Sequence, residues 1–142
     1  MKKTFGYIRF PLIIGILSFL IFRYILFFGY VPTSSMEPTI PEGQYIFAVR
    51  VHGELKSGDV IVFRKENEVL IKRITAVGGD TVYVNQTTGQ VSVNQSLDDA
   101  KTLMVPAHQY FVTGDNRKQS LDSRYWDEPF VGREDIIAKY MF

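Results

Sequence analysis

The hydrophobic positions along this chain change their period once. From Phe10 to Phe22 thirteen consecutive residues are uncharged, most of them Leu, Ile or Phe, and after Arg23 the run continues from Tyr24 to Val31. It carries almost no polar stripe, which argues against a helix half-buried in a globular core. Thirteen residues at ~1.5 Å each reach only about 20 Å, short of the roughly 30 Å hydrocarbon layer of a bilayer. The pattern therefore predicts one helix running past Arg23, from Phe10 to Phe28, with the Arg23 side chain snorkelling to the interface. Pro11 fits a first helical turn, and Tyr7, Tyr24 and Tyr30 suit the interfacial belts. The bulky flank Phe27-Phe28-Gly29-Tyr30-Val31-Pro32 lacks the small residues of a cleavage site, so the segment reads as an uncleaved anchor. Lys2, Lys3 and Arg9 precede it, which leaves that end in the cytoplasm.

Beyond Pro32 the pattern shortens to strands. Residues 44–51, 59–64 and 69–77 are rich in β-branched and aromatic residues and are separated by Gly-containing turns. Thr81–Val84 and Gln90–Val93 flank Thr87-Thr88-Gly89 as a hairpin, and Gln109–Thr113 leads into Gly114-Asp115. Residues 94–101 read as loop, and Arg133–Tyr140 as a strand or a short helical turn. Short strands with Gly about every ten residues predict a mostly β body, a folded antiparallel sheet or partly open barrel.

Charge sharpens this division. Among 142 residues, 16 are Lys or Arg and 15 are Asp or Glu, for a net charge of +1. Residues 1–31 carry four basic side chains and no acid, whereas residues 32–142 carry 12 basic and 15 acidic ones. The expected organisation is a cytoplasmic N-terminus and transmembrane anchor over 1–31 and an extracytoplasmic domain over 32–142. The balanced total argues against nucleic acid as a partner. With no cysteine, thiolate zinc sites and cysteine nucleophiles are excluded. Two histidines make a multi-histidine metal site a poor fit, so no metal and no cofactor are expected.

Three segments are unusual for plain scaffold. Pro32-Thr33-Ser34-Ser35-Met36-Glu37-Pro38-Thr39 has four hydroxyl residues and two prolines, and is neither regular helix nor interior strand. Lys72 and Arg73 interrupt an apolar strand and point to opposite faces. Gly114–Arg124 is dense in turn formers and charges. Each has a plainer explanation: a juxtamembrane linker, an edge-strand lysine that blocks aggregation, a turn tied by surface ion pairs. A hydroxyl nucleophile needs a base, however, and neither His52 nor His108 has a nearby acid to orient it. A lysine in an apolar strand is the better candidate, because desolvation lowers its pKa.

These segments carry a resemblance. Ser35-Met36-Glu37-Pro38-Thr39 resembles the S-M-x-P-T nucleophile box of bacterial type I signal peptidases, and Ser57-Gly58-Asp59-Val60 their following strand box. Lys72-Arg73 with Gly79-Asp80 is similar to the K-R-x5-G-D lysine box, and Gly114–Arg124 to G-D-N-R-x-x-S-x-D-S-R. The boxes stand in family order after an apolar segment, over roughly residues 10–140.

The resemblance implies a serine endopeptidase that removes signal peptides from exported preproteins after small residues of the Ala-X-Ala type, at the lipid bilayer. By matching position Ser35 is the nucleophile and Lys72 its general base. The Thr33 hydroxyl and the Ser35 N–H form the oxyanion hole, and Ser120 orients the lysine. Asp115, Arg117, Asp122 and Arg124 form a supporting charge network. Val31, Ile40 and Ile71 adjoin these boxes and are candidate pocket walls, with ordinary core packing as the alternative. Ser34 and Ala138 depart from residues common in the family. The 42 positions from Lys72 to Gly114 leave no room for a large inserted domain. Tyr125–Phe130 reads as a core lid or a membrane-resting loop. A conjugation-type maturation peptidase and an inactive membrane-anchored binding module are the alternative functions.

Overall fold

The computed structural model describes residues 4–141, with side chains from Arg9 onward. Lys2 and Lys3, and the side chain of Tyr7, lie outside the described residues. Helix α1 spans Thr4–Tyr24, and ten strands follow: β1 Leu26–Tyr30, β2 Tyr45–Val49, β3 Val60–Lys65, β4 Glu68–Val77, β5 Thr81–Asn85, β6 Val91–Val93, β7 Ala100–Met104, β8 Gln109–Thr113, β9 Phe130–Gly132 and β10 Ile136–Tyr140. The architecture is mostly β, as the alternation predicts. Seven strands form one antiparallel sheet in the order β1-β2-β10-β3-β4-β8-β9, and β6-β5-β7 form a second, smaller one.

The apolar run does not continue as one helix to Phe28. It stops at Tyr24, and Leu26–Tyr30 pairs antiparallel with β2, placing Phe28 opposite Phe47 and Tyr30 opposite Tyr45. Aromatic residues suit an edge strand as well as a membrane helix, and the partner β2 supplies the backbone bonds that decide. Arg50 fixes the junction by donating from its backbone N–H to Ile25 O and from Nε to Leu26 O. Pro11 lies inside the helix rather than in its first turn. Phe10, Ile13, Leu17 and Phe19 are all exposed on α1. Among the described residues no helix is long and apolar enough to cross a membrane.

Two further strands escape the sequence pattern. β7 pairs with β5 along Thr81↔Met104 to Asn85↔Ala100, inside and beyond the expected loop. Its exposed lysine and threonine and the preceding Asp98-Asp99 hide it, because its strand character comes from pairing and not from a buried face. β9, Phe130–Gly132, closes the sheet edge against β8. Arg133–Asp135 is a single 3₁₀ turn leading into β10.

Three apolar clusters fill the body. Val31, Met36, Ile40, Ile46 and Val62 belong to one, Ile61, Phe63, Ile74 and Val112 to a second, and Val82, Val84, Val105 and Phe111 join the small sheet to β8. Trp126 packs over the second cluster with its ring edge-on to Phe63 at 6.2 Å, which makes it a lid on the core, while Tyr125 beside it is exposed. The first two clusters lie beneath the segments described next.

Candidate active site

Ser35 is held by its neighbours rather than by its own side chain. Val31 is pinned by bonds from its N–H to Gln44 O and from the Gly43 N–H to its carbonyl, so residues 31–33 leave β1 extended. One 3₁₀ turn, Ser34–Met36, follows. Met36 and Ile40 are fully buried and anchor the turn, and the Ile40 N–H donates to Met36 O. From the opposite side the Asn116 N–H donates to the Ser35 carbonyl at 3.0 Å. Ser34 is tied outward, its hydroxyl donating to Gln119 Oε1 at 2.6 Å.

Lys72 arrives from β4. Its strand pairs with β3 along residues 68–73 but with β8 only from Arg73 onward, so on that side residues 68–72 have no strand partner among the described residues. Pleat alternation turns Lys72 toward the 3₁₀ turn, and its Nζ donates to Ser35 Oγ at 2.6 Å. Both residues are 4% exposed. Burial pushes the Lys72 ammonium below the ordinary lysine range, with nearby Arg124 acting the same way and Asp122 opposing it. The Thr33 hydroxyl also donates to Ser35 Oγ, at 3.3 Å.

Beneath this pair lies a closed polar cluster. Asp122, fully buried, accepts from the Gly114 N–H at 2.8 Å, from Ser120 Oγ at 2.7 Å and from Arg124 Nε at 2.8 Å. Burial works against the carboxylate, but these donors, Arg124 foremost, hold it below the usual carboxylate range. Arg124 also donates to the carbonyls of Arg117 and Gly89, linking the cluster to the β5–β6 turn. No buried side-chain polar atom among the described residues lacks a partner, as a stable buried network requires.

The expected charge network is two networks. Asp115 does not join Asp122; it forms a two-pronged ion pair with Arg73, at 2.8 Å to Nε and 2.6 Å to Nη2. Arg73 also donates to Gly58 O and Thr39 Oγ1, so one side chain ties its own sequence box to the other three. The Arg117 side chain is exposed and contributes only its carbonyl to Arg124. Ser120 hydrogen-bonds to Asp122 and, among the described residues, not to Lys72. Val31 and Ile71 line a cavity of about 100 Å³ beside Ser35 and Lys72, with Ile46 and Val62. Ile40 does not line it and is core.

Two residues gain importance from packing. A Cβ on Gly114 would fall 2.5 Å from the Ser35 carbonyl, so only glycine lets these segments approach. Arg73 had a signal in the sequence, a second basic residue on an apolar strand, but alternation alone names no partner for it.

Comparison with known proteins places the chain in a family. The family model described as "Signal peptidase, peptidase S26" matches residues 4–100 and 92–142. A probable signal peptidase I-2 of Synechocystis is 33% identical, over 78% of this chain and 59% of its own length. The chain thus spans less than two thirds of that relative. Signal peptidase I of Bacillus amyloliquefaciens is 34% identical over 80% of this chain and 74% of its own length. A crystal structure of a signal peptidase I from Enterococcus faecalis superposes with a TM-score of 0.49 at 25% identity, covering 63% of this chain and 98% of that one. With residues 4–142 matched by the family model and a relative covered over most of its sequence, the chain belongs to the signal peptidase family, peptidase S26.

Proposed function

We propose that this chain cleaves signal peptides from exported preproteins, with Ser35 as nucleophile and Lys72 as general base. The observation that carries the reading is the 2.6 Å contact of Lys72 Nζ with Ser35 Oγ between two buried side chains. That separation lies within the reach required for proton transfer. A lysine whose pKa is lowered by burial is available as the neutral amine, which accepts the Ser35 proton as Oγ attacks the scissile carbonyl. Lys72 then delivers that proton to the leaving amine, and in the second half-reaction takes one from the water that attacks the acyl-enzyme.

Negative charge develops on the carbonyl oxygen. The Ser35 N–H and the Thr33 hydroxyl are the proposed donors to it, each worth about 3 kcal/mol in the barrier. The Thr33 hydroxyl, which donates to Ser35 Oγ at 3.3 Å, would turn from it to that oxygen. Ser120 and Asp122 act through the packing of Gly114 against Ser35, and Arg124 keeps Asp122 ionised. No cofactor enters these steps.

The unpaired edge of β4 over residues 68–72 suits a substrate bound as an added strand. The cavity of about 100 Å³ bounded by Val31, Ile46, Val62 and Ile71 is matched to alanine-sized side chains. This supports cleavage after Ala-X-Ala sequences.

Membrane attachment belongs to the same proposal. Thr4–Tyr24 has 21 residues, which at ~1.5 Å each matches the roughly 30 Å hydrocarbon layer. The side chains described, from Arg9, cover only part of that length. Exposed Phe28, Tyr30, Tyr45 and Phe47 form an aromatic ladder on the sheet face next to the helix, Phe28 stacking on Tyr45 at 5.3 Å. Aromatic side chains of this kind favour the headgroup region. The proposed topology has the N-terminus cytoplasmic and residues 32–142 outside.

The test is direct. The purified chain in detergent is incubated with a preprotein and the new N-terminus is sequenced. Cleavage after an Ala-X-Ala sequence, lost in Ser35→Ala, is expected. An uncut preprotein, or cleavage by Ser35→Ala at the wild-type rate, refutes the assignment.

A further inference from the structure

The free edge of β4 has two faces, and a strand bound to it must meet both. Whichever direction it runs, a strand paired with residues 68–72 shares their pleat. Its side chains therefore alternate between the face of Val69 and Ile71 and the face of Glu68, Leu70 and Lys72. The small apolar cavity lies on the first face and is bounded by Val69 and Ile71. On the second lies a much larger cleft of about 910 Å³, reaching Ser35 and Lys72 and bounded along β4 by Leu70 and Glu68.

The sheet register fixes this assignment. Ile61, Phe63 and Lys65 stand opposite Lys72, Leu70 and Glu68 and share their face. Trp126 packs on Phe63 from that side, and Leu121 and Tyr125 continue the far wall. The cleft therefore has an apolar lining from Leu70, Leu121 and Trp126, and along β4 it becomes charged toward the start of the strand, at Glu68. Its acidic lining residues are Glu66, Glu68, Asp127, Glu128 and Asp135, against the basic Arg64, Lys65 and Lys72. Lys65 is already engaged, its Nζ lying 4.8 Å from the Trp126 ring centre and donating to Glu128 O. Glu68 is exposed and makes no ion pair among the described residues.

We propose that this cleft is a specificity subsite for the residue between the two small ones before the cut, the X of Ala-X-Ala. It favours a long side chain with an apolar stem and a cationic end over an acidic one. The stem lies along Leu70 and Leu121, and the cation reaches Glu68, which alternation places about 7 Å further along the strand. Lysine and arginine fit this description. The inference rests on the reading of the chain as a signal peptidase.

The experiment uses the full chain in detergent and matched preprotein peptides with Ala-Lys-Ala, Ala-Glu-Ala or Ala-Ala-Ala before the cut. The readout is the ratio of kcat/KM for lysine to that for glutamate within each enzyme, which cancels any change in basal rate. The wild-type ratio should be about fivefold or more in low salt and fall as salt rises. Glu68→Lys should bring it to about one or below, and Glu68→Gln to an intermediate value. A wild-type ratio near one, or a ratio that survives Glu68→Lys, overturns the subsite while leaving the peptidase reading intact. So does a charge effect seen only when the varied residue is moved to the first position after the cut. Failure to cleave even Ala-Ala-Ala removes the peptidase reading and this inference with it.

Discussion

Gly114→Ala should damage stability and turnover together. A Cβ there would lie 2.5 Å from the Ser35 carbonyl oxygen, 2.5 Å from Ser120 Cβ and closer still to the Ser120 hydroxyl. Ordinary contacts between such atoms are about 3.5 Å, so something must retreat by roughly 1 Å. None of these atoms is the free end of a flexible side chain. The Ser35 carbonyl is backbone held by the Asn116 N–H, and Ser120 is bonded to fully buried Asp122. Overpacking of this kind costs about 1–3 kcal/mol. Displacing Ser35 by that distance from Lys72, now 2.6 Å away, should slow turnover about a hundredfold. Urea unfolding reads the first effect as a lower midpoint with unchanged slope, and preprotein cleavage reads the second as a lower kcat. Gly53→Ala is the control, since a Cβ there meets nothing within 4 Å. A Gly114→Ala enzyme with wild-type midpoint and kcat would refute the close-approach argument.

Three further substitutions probe the same site. Lys72→Met should abolish cleavage yet raise stability by on the order of 1 kcal/mol, because it removes a buried amine that needs desolvation; an active or less stable variant contradicts this. Since burial lowers the folded-state Lys72 pKa, both activity and stability should climb as pH rises through that lowered value, the unfolded chain holding its proton longer. A chemistry-limited rate that shows no rise with pH anywhere below the ordinary lysine range counts against Lys72 as base. Thr33→Val should lower kcat about a hundredfold with little change in KM, and an unaltered kcat eliminates the oxyanion role. Asp122→Asn leaves Arg124 buried without its counter-charge and should cost about 3–5 kcal/mol. The depressed Asp122 pKa means that its stabilising effect is present above the unfolded carboxylate value and lost as pH falls through the folded one. Acid unfolding of wild type and Asp122→Asn with the same pH dependence would disprove this.

Much of the body was legible before any coordinates. Strands β2 to β5 and β8 follow from β-branched runs bounded by Gly turns, because a strand with one buried face must alternate. The absence of cysteine and the scarcity of histidine narrowed the chemistry to a hydroxyl and an amine, and the ordered boxes named Ser35 and Lys72. What alternation could not reveal was any strand whose stability comes from its partner. Leu26–Tyr30 was apolar on both faces and so read as helix, and Ala100–Met104, exposed at most positions, gave no strand signal, its first two residues falling in the expected loop 94–101.

The division of the polar residues was likewise a tertiary decision. In the sequence Asp115, Arg117, Asp122 and Arg124 form one charged stretch. Folding sends Asp115 across to Arg73 on β4, buries Asp122 with Arg124 below Gly114, and leaves Arg117 at the surface without an ion pair among the described residues. Among the three candidate wall residues, packing separates Val31 and Ile71, which face the small cavity, from Ile40, which is core. Residue types and local periodicity set which groups are available and which short elements form, because both depend on neighbours along the chain. Which hydroxyl meets the buried amine, which carboxylate holds which arginine, and where an edge stays unpaired depend on contacts between segments far apart in sequence, and only the folded sheet brings those together.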